Sequence, residues 1–443
     1  MTQIFYGSTL FGAMTLAAAI DAGAFGPRTG RRVLLVSNNA AIPEITPALD
    51  EAPGFAALRD RFDEVRSWND LVAPLHPSDW KARIVEVPML SRLLRTWLAL
   101  EEDPAELVLE SVAVPPARTI GALVRDCPIT VYSDGLMSYG PTRDPLPLEI
   151  AGRITRLLHL DLVPGLAPLL LREAGVAHEV VPREAFRRLA AALPVPGGPR
   201  TPAGAALRPA GDAGDAGDAG DAGDAMILGQ YLSALEILSA EEEARLHEDM
   251  LQALAARGHT RVVFKPHPAA GRRHARELRA AAARLGVQLA VAGETVPAEA
   301  CFQALRPSLV VGCFSTALAT ARRFYGIPVA TMGCPAVLDR LSPYENGNRI
   351  PATIVAATVP RLGTDGSITD PPPVDLAALV TAVAYCMQPK AHPDLKEAAA
   401  AYLAGPGADP RYFRNRRLAA AGLAAEPRPA GRLIGRLRRT LAR

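Results

Sequence analysis

The chain reads Leu309-Val-Val-Gly-Cys-Phe-Ser-Thr-Ala-Leu318 in its second half, where an apolar run of strand length leads through one glycine to two hydroxyl residues. Ser315 and Thr316 have side chains that cap helix N-termini, and the apolar residues after them predict a helix that ends at about Phe324. A buried strand that leads directly into a helix is the unit of a parallel, doubly wound sheet. This stretch therefore predicts an α/β fold.

The same unit recurs along both halves of the 443-residue chain. Apolar runs predict strands at 4–6, 33–36, 107–109, 129–132, 226–228, 262–264, 288–291, 309–311 and 329–331. Helices are predicted at 10–20, 118–125, 240–257, 272–285 and 315–324. This alternation indicates two Rossmann-like domains, each with a doubly wound parallel sheet, whose ligands bind in a central cleft at the carboxyl ends of the strands.

A low-complexity segment separates the two halves. Five copies of Gly-Asp-Ala run from Gly211 to Ala225, after a Pro/Gly-rich stretch from Pro194 to Pro202. Such residues bury too little apolar surface to offset the entropy lost on ordering, so we expect a flexible linker. The resulting division is an N-terminal Rossmann-like domain, a linker, a C-terminal Rossmann-like domain and a basic tail, at 1–193, 194–225, 226–410 and 411–443.

Composition and charge exclude several classes of protein. Lys and Arg number 48 against 46 Asp and Glu, a net charge of +2, so no general attraction to nucleic acid is expected. The tail is a local exception, with ten Arg and one Glu, and its leucines and isoleucine at 433, 434, 437 and 441 share one helical face. A basic amphipathic helix can lie on an anionic membrane surface, and a solvated tail is the alternative.

The cysteines and the N-terminus bear on the compartment. The five cysteines are far apart, odd in number and without a Cys-x-x-Cys pair, which argues against a disulfide framework or a zinc site. No basic region precedes an N-terminal apolar stretch, and no charge-free run of about 18 apolar residues occurs. We expect a cytoplasmic protein, with peripheral contact at the inner face of the membrane through the tail.

Candidate catalytic chemistry lies at the ends of predicted strands. The chain contains no Gly-x-Gly-x-x-Gly, Walker, Gly-x-Ser-x-Gly or His-Glu-x-x-His motif, which weakens the corresponding enzyme classes. Asp134 follows a strand in Val131-Tyr-Ser-Asp-Gly-Leu-Met-Ser-Tyr-Gly-Pro141, and Gly135 after it permits close backbone approach. Asp134 is a candidate general base, and an Asp-Gly turn is the alternative interpretation.

Two further motifs lie in the second half. His267 follows the strand in Val262-Val-Phe-Lys-Pro-His-Pro268, with Lys265 two residues before it and Pro268 stiffening the loop. An imidazole beside an ammonium group suits a leaving phosphate, and a simple loop histidine is the alternative. After Gly312, the hydroxyls of Ser315 and Thr316 at a helix N-terminus form a candidate anion site, and a plain N-cap is the alternative.

In this order the three motifs resemble those of bacterial sialyltransferases, which are an acidic-acidic-Gly, a His-Pro and a Ser-Ser/Thr motif. Among these enzymes the chain is most similar to the alpha-2,8-polysialyltransferase-type family, over most of its length outside the linker and the tail. The likeness is carried by residues 107–111, 132–143, 161–165, 227–230, 265–268 and 297–299.

The resemblance implies a GT-B-like fold and transfer of sialic acid from CMP-sialic acid, with inversion and with neither a metal nor another cofactor. It implies that Asp134 is the general base and that His267 assists departure of CMP. It further implies a set of donor-binding residues, with Ser315 and Thr316 on the phosphate, Glu299 on the ribose, and Gln230 and Lys265 on the nucleotide. One departure is Ser133, which stands at the first acidic position.

The leading hypothesis is an inverting, metal-independent sialyltransferase-like enzyme. It would use a CMP-sugar donor and a glycan acceptor, with sialic acid or a related nonulosonic acid as the transferred sugar and a capsule or other surface polysaccharide as the product. Two alternatives are a transferase of the same architecture with another CMP- or CDP-linked donor, and a non-catalytic relative that binds nucleotide or glycan.

Overall fold

The computed structural model describes residues 1–195, 224–267 and 273–423 and contains two seven-stranded sheets. The first sheet has the order β3-β2-β1-β4-β5-β6-β7, with strands β1 Thr2–Gly7, β2 Arg31–Val36, β3 Glu64–Ser67, β4 Glu106–Leu109, β5 Ile129–Ser133, β6 Ile154–His159 and β7 Ala177–Val180. The second has the order β10-β9-β8-β11-β12-β13-β14, with strands β8 Ala225–Leu228, β9 Arg261–Lys265, β10 Gln288–Val291, β11 Leu309–Gly312, β12 Val329–Thr331, β13 Arg361–Leu362 and β14 Ile368–Thr369.

Neighbouring strands pair in parallel, except β13 with β14. The prediction of two doubly wound parallel sheets is confirmed, and each predicted strand is present. Sequence analysis missed β3, β6, β7, β13 and β14. Two of these, β7 and β14, are exposed edge strands, and such strands lack the continuous apolar run of a strand buried on both faces.

Helices cover the sheets in the order expected for such a fold. They are α1 Leu10–Asp21, α2 Ala56–Arg59, α3 Trp68–Val72, α4 Val87–Trp97, α5 Ala117–Leu123, α6 Leu148–Ala151, α7 Arg183–Ala192, α8 Ala240–Ala256, α9 Arg273–Leu285, α10 Ala298–Leu305, α11 Thr316–Tyr325, α12 Cys334–Arg340, α13 Arg349–Thr358, α14 Leu376–Met387, α15 Lys396–Ala404 and α16 Asn415–Ala420. Within the ranges given above, no helix has both the length and the apolarity that a bilayer crossing requires.

The two halves share one apolar core. Phe186 of α7 packs edge-on against Phe11 of α1, with ring centroids 5.3 Å apart, and against Phe324 of α11 in the other half, at 5.7 Å. A salt bridge also joins the halves, with Arg323 Nη2 2.7 Å from Asp161 Oδ2. The two halves therefore pack directly against each other.

The segments at the predicted boundaries are only partly described. Residues 196–223 of the predicted linker lie outside the described ranges, and its last residue, Ala225, is the first residue of β8. The first part of the predicted tail packs on the second half, since Arg414 donates to the carbonyls of Asp339 and Leu341 and Arg417 pairs with Glu345. The tail residues from 424 onward, with the predicted apolar face, lie outside the described ranges.

Candidate active site

The loops after β5 and β11 touch across the cleft between the halves. Thr316 Oγ1 accepts a hydrogen bond of 3.3 Å from the backbone N–H of Leu136. A Cβ atom at Gly135 would lie 3.0 Å from the same hydroxyl oxygen, so this approach requires glycine or a displaced neighbour. The structure therefore brings the first and third sequence motifs together, although they are 180 residues apart.

Asp134 directly follows β5 and is partly exposed to the cleft. Successive residues of a strand alternate between the two faces of the sheet, so Asp134 lies on the same face as Tyr132, the face covered by α1. Burial of the carboxyl group raises the pKa of Asp134 to about 6. A carboxylate with that pKa is largely ionised at pH 7 and can still accept a proton readily.

Glu110 is a second carboxylate beside Asp134, and sequence analysis assigned it no role. Its Oε1 accepts hydrogen bonds from the backbone N–H of Ser8, at 2.8 Å, and from the Ser8 hydroxyl. Its Oε2 accepts one of 3.1 Å from the Tyr132 hydroxyl. Burial and the charge of Asp134 raise the pKa of Glu110 to about 7. A signal was present, because Glu110 follows β4 as Asp134 follows β5.

The second half contributes a buried ammonium and a buried carboxyl group. Lys265 ends β9, and its Nζ donates to the carbonyl of Glu294 at 3.2 Å. Burial lowers the pKa of Lys265 to about 8, although the charge of Glu299 acts in the opposite direction. Glu299, in the first turn of α10, accepts a hydrogen bond of 2.6 Å from Thr320, and burial raises its pKa. Lys265 and Glu299 are thus close enough to interact.

His267 lies two residues after β9 with its ring against Tyr231, the ring centroids 4.0 Å apart. Burial, and then the positive charge of Lys265, lower the pKa of His267 to about 4. The imidazole is therefore neutral near pH 7 before any anion binds. Pro268, which we expect to stiffen this loop, lies outside the described residues.

The N-terminus of α11 is held by contacts from β8. Ser315 is the N-cap residue and accepts a hydrogen bond of 3.2 Å from the backbone N–H of Ala317. Gln230 Oε1 accepts one of 2.8 Å from the N–H of Phe314, so its carboxamide oxygen supports this loop. A Cβ atom at Gly312 would lie 3.3 Å from Leu228 Cβ, which makes Gly312 a point of close packing between β11 and β8.

Comparisons with known proteins give one family. Residues 3–334 match the family model described as alpha-2,8-polysialyltransferase, a range that includes all three motifs. A search of curated proteins gives no match.

Solved structures with a similar chain path include the following three. A sialyltransferase from Photobacterium damselae, residues 113–497 corresponding to the GT-B domain, has 12% identity and a TM-score of 0.39, with 80% of this chain and 96% of that chain covered. A UDP-N-acetylglucosamine 2-epimerase assigned in Listeria monocytogenes has 11% identity and a TM-score of 0.44, with 88% and 97% covered. MurG from Acinetobacter baumannii has 11% identity and a TM-score of 0.40, with 96% and 99% covered.

Proposed function

Because the chain belongs to the alpha-2,8-polysialyltransferase family, we propose that it transfers sialic acid, or a related nonulosonic acid, from a CMP-linked donor to a hydroxyl group of a glycan. The chain is a glycosyltransferase, and its substrates are a nucleotide-sugar donor and a glycan acceptor. The observation that carries the proposal is the contact between the Asp134–Gly135 loop and Thr316. It places a carboxylate from one half beside a helix N-terminus from the other.

The donor phosphate would bind at the N-terminus of α11. A helix of ten residues carries a partial positive charge at that end. Ser315 and Thr316 are both partly exposed there and add two hydroxyl groups. Lys265 adds a positive charge from the end of β9. These groups would stabilise the charge that accumulates on CMP as it leaves.

The reaction would be a single displacement at the anomeric carbon. The acceptor oxygen forms its bond to that carbon while the bond to the phosphate oxygen breaks, and the electron pair leaves with CMP. Asp134 takes the proton of the acceptor hydroxyl, a role typically associated with a rate gain of about 10² to 10⁴. His267, neutral in the free protein, donates an N–H hydrogen bond to the departing phosphate. Inversion follows from attack opposite the leaving group, and the proposal includes no metal ion and no other cofactor.

Nucleotide binding tests the donor without knowledge of the acceptor. We expect millimolar CMP, with EDTA present, to raise the thermal unfolding temperature, because a ligand that binds only the native state stabilises it. CDP, UDP and GDP should raise it less, and the double variant Ser315→Ala/Thr316→Ala should lose most of the CMP effect. The control is Ser308→Ala, at the residue before β11. It removes a hydroxyl that donates to the Asp224 carbonyl and should keep the stabilisation by CMP.

The other outcomes contradict the proposal in different ways. A larger shift with CDP would indicate another cytidine-linked donor, and no shift with any nucleotide would indicate a non-catalytic relative. If CMP binds, release of CMP from CMP-sialic acid in the presence of sialylated oligosaccharides tests transfer itself.

A further inference from the structure

The side chain of Glu110 is buried at the centre of the candidate active site, and the proposed reaction does not use it. Only 8% of its surface is exposed. A Cβ atom placed on Gly12, in the first turn of α1, would lie 2.9 Å from Glu110 Oε2 and 3.2 Å from Asp134 Oδ2. Both carboxyl groups therefore face the same small space above Gly12.

The sheet topology produces this arrangement. Strands β4 and β5 are parallel neighbours with Leu109 opposite Val131, so the next residues, Glu110 and Tyr132, are also side by side. Alternation along β5 then places Asp134 on the face of Glu110 and Tyr132, and Ser133 on the opposite face. The carboxylate that accompanies Asp134 comes from the adjacent strand, not from the adjacent residue.

Two carboxylates that face the same small space repel each other, and several groups offset part of that cost. The Ser8 N–H and hydroxyl and the Tyr132 hydroxyl donate to Glu110. The N-terminus of α1, a helix of 12 residues, adds a partial positive charge. Among the residues that the structure describes, other titratable groups that interact with the pair include Tyr6 from β1 and Glu299 from α10.

We propose that Glu110 is a positioning residue for the transfer reaction, and that its carboxyl group, facing Asp134 across Gly12, sets the pH at which Asp134 is ionised. This inference rests on the proposed function in one respect, namely that the proton accepted by Asp134 comes from the glycan hydroxyl. While Glu110 is ionised, its negative charge disfavours ionisation of Asp134, and while Glu110 is protonated that repulsion is absent. The pKa values of both groups are raised, by burial and, for Glu110, also by the charge of Asp134.

The first test uses stability and is independent of activity. A carboxyl group whose pKa is raised by folding stabilises the protein below its unfolded pKa, and that stability is lost as the pH rises through the folded pKa. Wild-type protein should therefore lose unfolding temperature between about pH 4 and 7 because of this pair. The unfolding temperature of Glu110→Gln and of Asp134→Asn should each fall less than that of wild type over the same pH range.

The double variant Glu110→Gln/Asp134→Asn shows whether the two groups interact. If they do, its gain at pH 8 is smaller than the sum of the two single gains, because removal of either charge relieves the same repulsion. A gain in the double variant equal to the sum of the two single gains would overturn the proposal. The glutamine should fit, since its oxygen can accept from Ser8 and the Tyr132 hydroxyl can donate to the Tyr6 carbonyl, 3.0 Å away.

The second test is the pH profile of transfer. Glu110→Gln should move the acidic limb of kcat/KM to lower pH by roughly one unit, because the like charge beside Asp134 is gone. Glu110→Asp, which keeps the charge, should leave the limb closer to its wild-type position. The control, Glu106→Gln, removes a carboxylate from the other end of β4 and should not move the limb. A lower rate at every pH with an unmoved limb would show that Glu110 is structural only.

The two proposals fail separately. If wild-type protein does not transfer sialic acid but the stability cycle shows coupling, only the proposed function is wrong. If transfer occurs and the stability gains of the two single variants are additive, only the role of Glu110 is wrong.

Discussion

Asp134 and His267 have pKa values shifted in opposite directions by the same cause. Burial disfavours the charged form, so it raises the pKa of the carboxyl group to about 6 and lowers that of the imidazole to about 4. Between about pH 6 and pH 8, Asp134 is increasingly ionised and His267 is neutral. A proton acceptor and a neutral hydrogen-bond donor are thus available at the same working pH.

Asp134→Asn tests the first of these roles at the residue scale. We expect kcat to fall by about 10²- to 10⁴-fold, because the asparagine cannot accept the acceptor proton. The Kd for CMP should change little, since the proposed donor-binding residues belong to the second half. Steady-state kinetics and CMP titration of the same preparation separate the two quantities. An equal loss of CMP affinity would contradict the assignment.

At the scale of elements, the site depends on how closely two loops approach. The loop after β5 contacts the N-terminus of α11 through Gly135 and Thr316, so the proposed base and the proposed anion site lie on loops that touch. A difference of 1 Å in such a position can change a rate by about a hundredfold. If the proposed roles hold, the backbone spacing at this contact affects the rate as well as the side chains do.

Gly135→Ala tests this contact. The new Cβ atom would lie 3.0 Å from Thr316 Oγ1, closer than ordinary packing, so the loops must separate by a few tenths of an ångström. We expect kcat to fall by roughly tenfold, with a small loss of unfolding temperature. Gly407→Ala is the matched control, because a Cβ there meets nothing within 4 Å. Unchanged kcat in Gly135→Ala would show that the loop spacing does not limit the reaction.

At the scale of the whole molecule, charge is distributed unevenly. Six Arg and one Glu follow Leu423 in a chain whose net charge is only +2. We propose that this basic end holds the enzyme at an anionic membrane surface on the cytoplasmic side, near its glycan acceptor. Each Arg near such a surface contributes about 1 kcal/mol of attraction.

Vesicle sedimentation tests the membrane proposal with the chain of 443 residues. Replacement of Arg432, Arg436 and Arg439 by Gln should weaken binding to phosphatidylserine vesicles by on the order of a hundredfold. The control replaces three exposed arginines of the described structure, Arg188, Arg276 and Arg279, and gives the same net charge. If both triple variants bind equally, net charge and not the tail is responsible.

Most interior strands could be predicted because burial on both faces leaves apolar runs in the sequence, but the interior strands β6 and β13 were missed. The edge strands β7 and β14 could not, because exposed residues carry no such pattern. The positions of Asp134, His267 and Ser315 after strands could be read as well, since carboxyl ends of parallel strands gather ligands.

The sequence by itself determined the fold class and the three motifs, because these depend on the order of residues along the chain. Only the tertiary structure decided which distant groups meet. Glu110 faces Asp134 because β4 lies beside β5, and Thr316 lies against Gly135 where the two halves pack together. Such contacts, and the pKa shifts they cause, arise from burial and distance in space, which separation along the sequence does not specify.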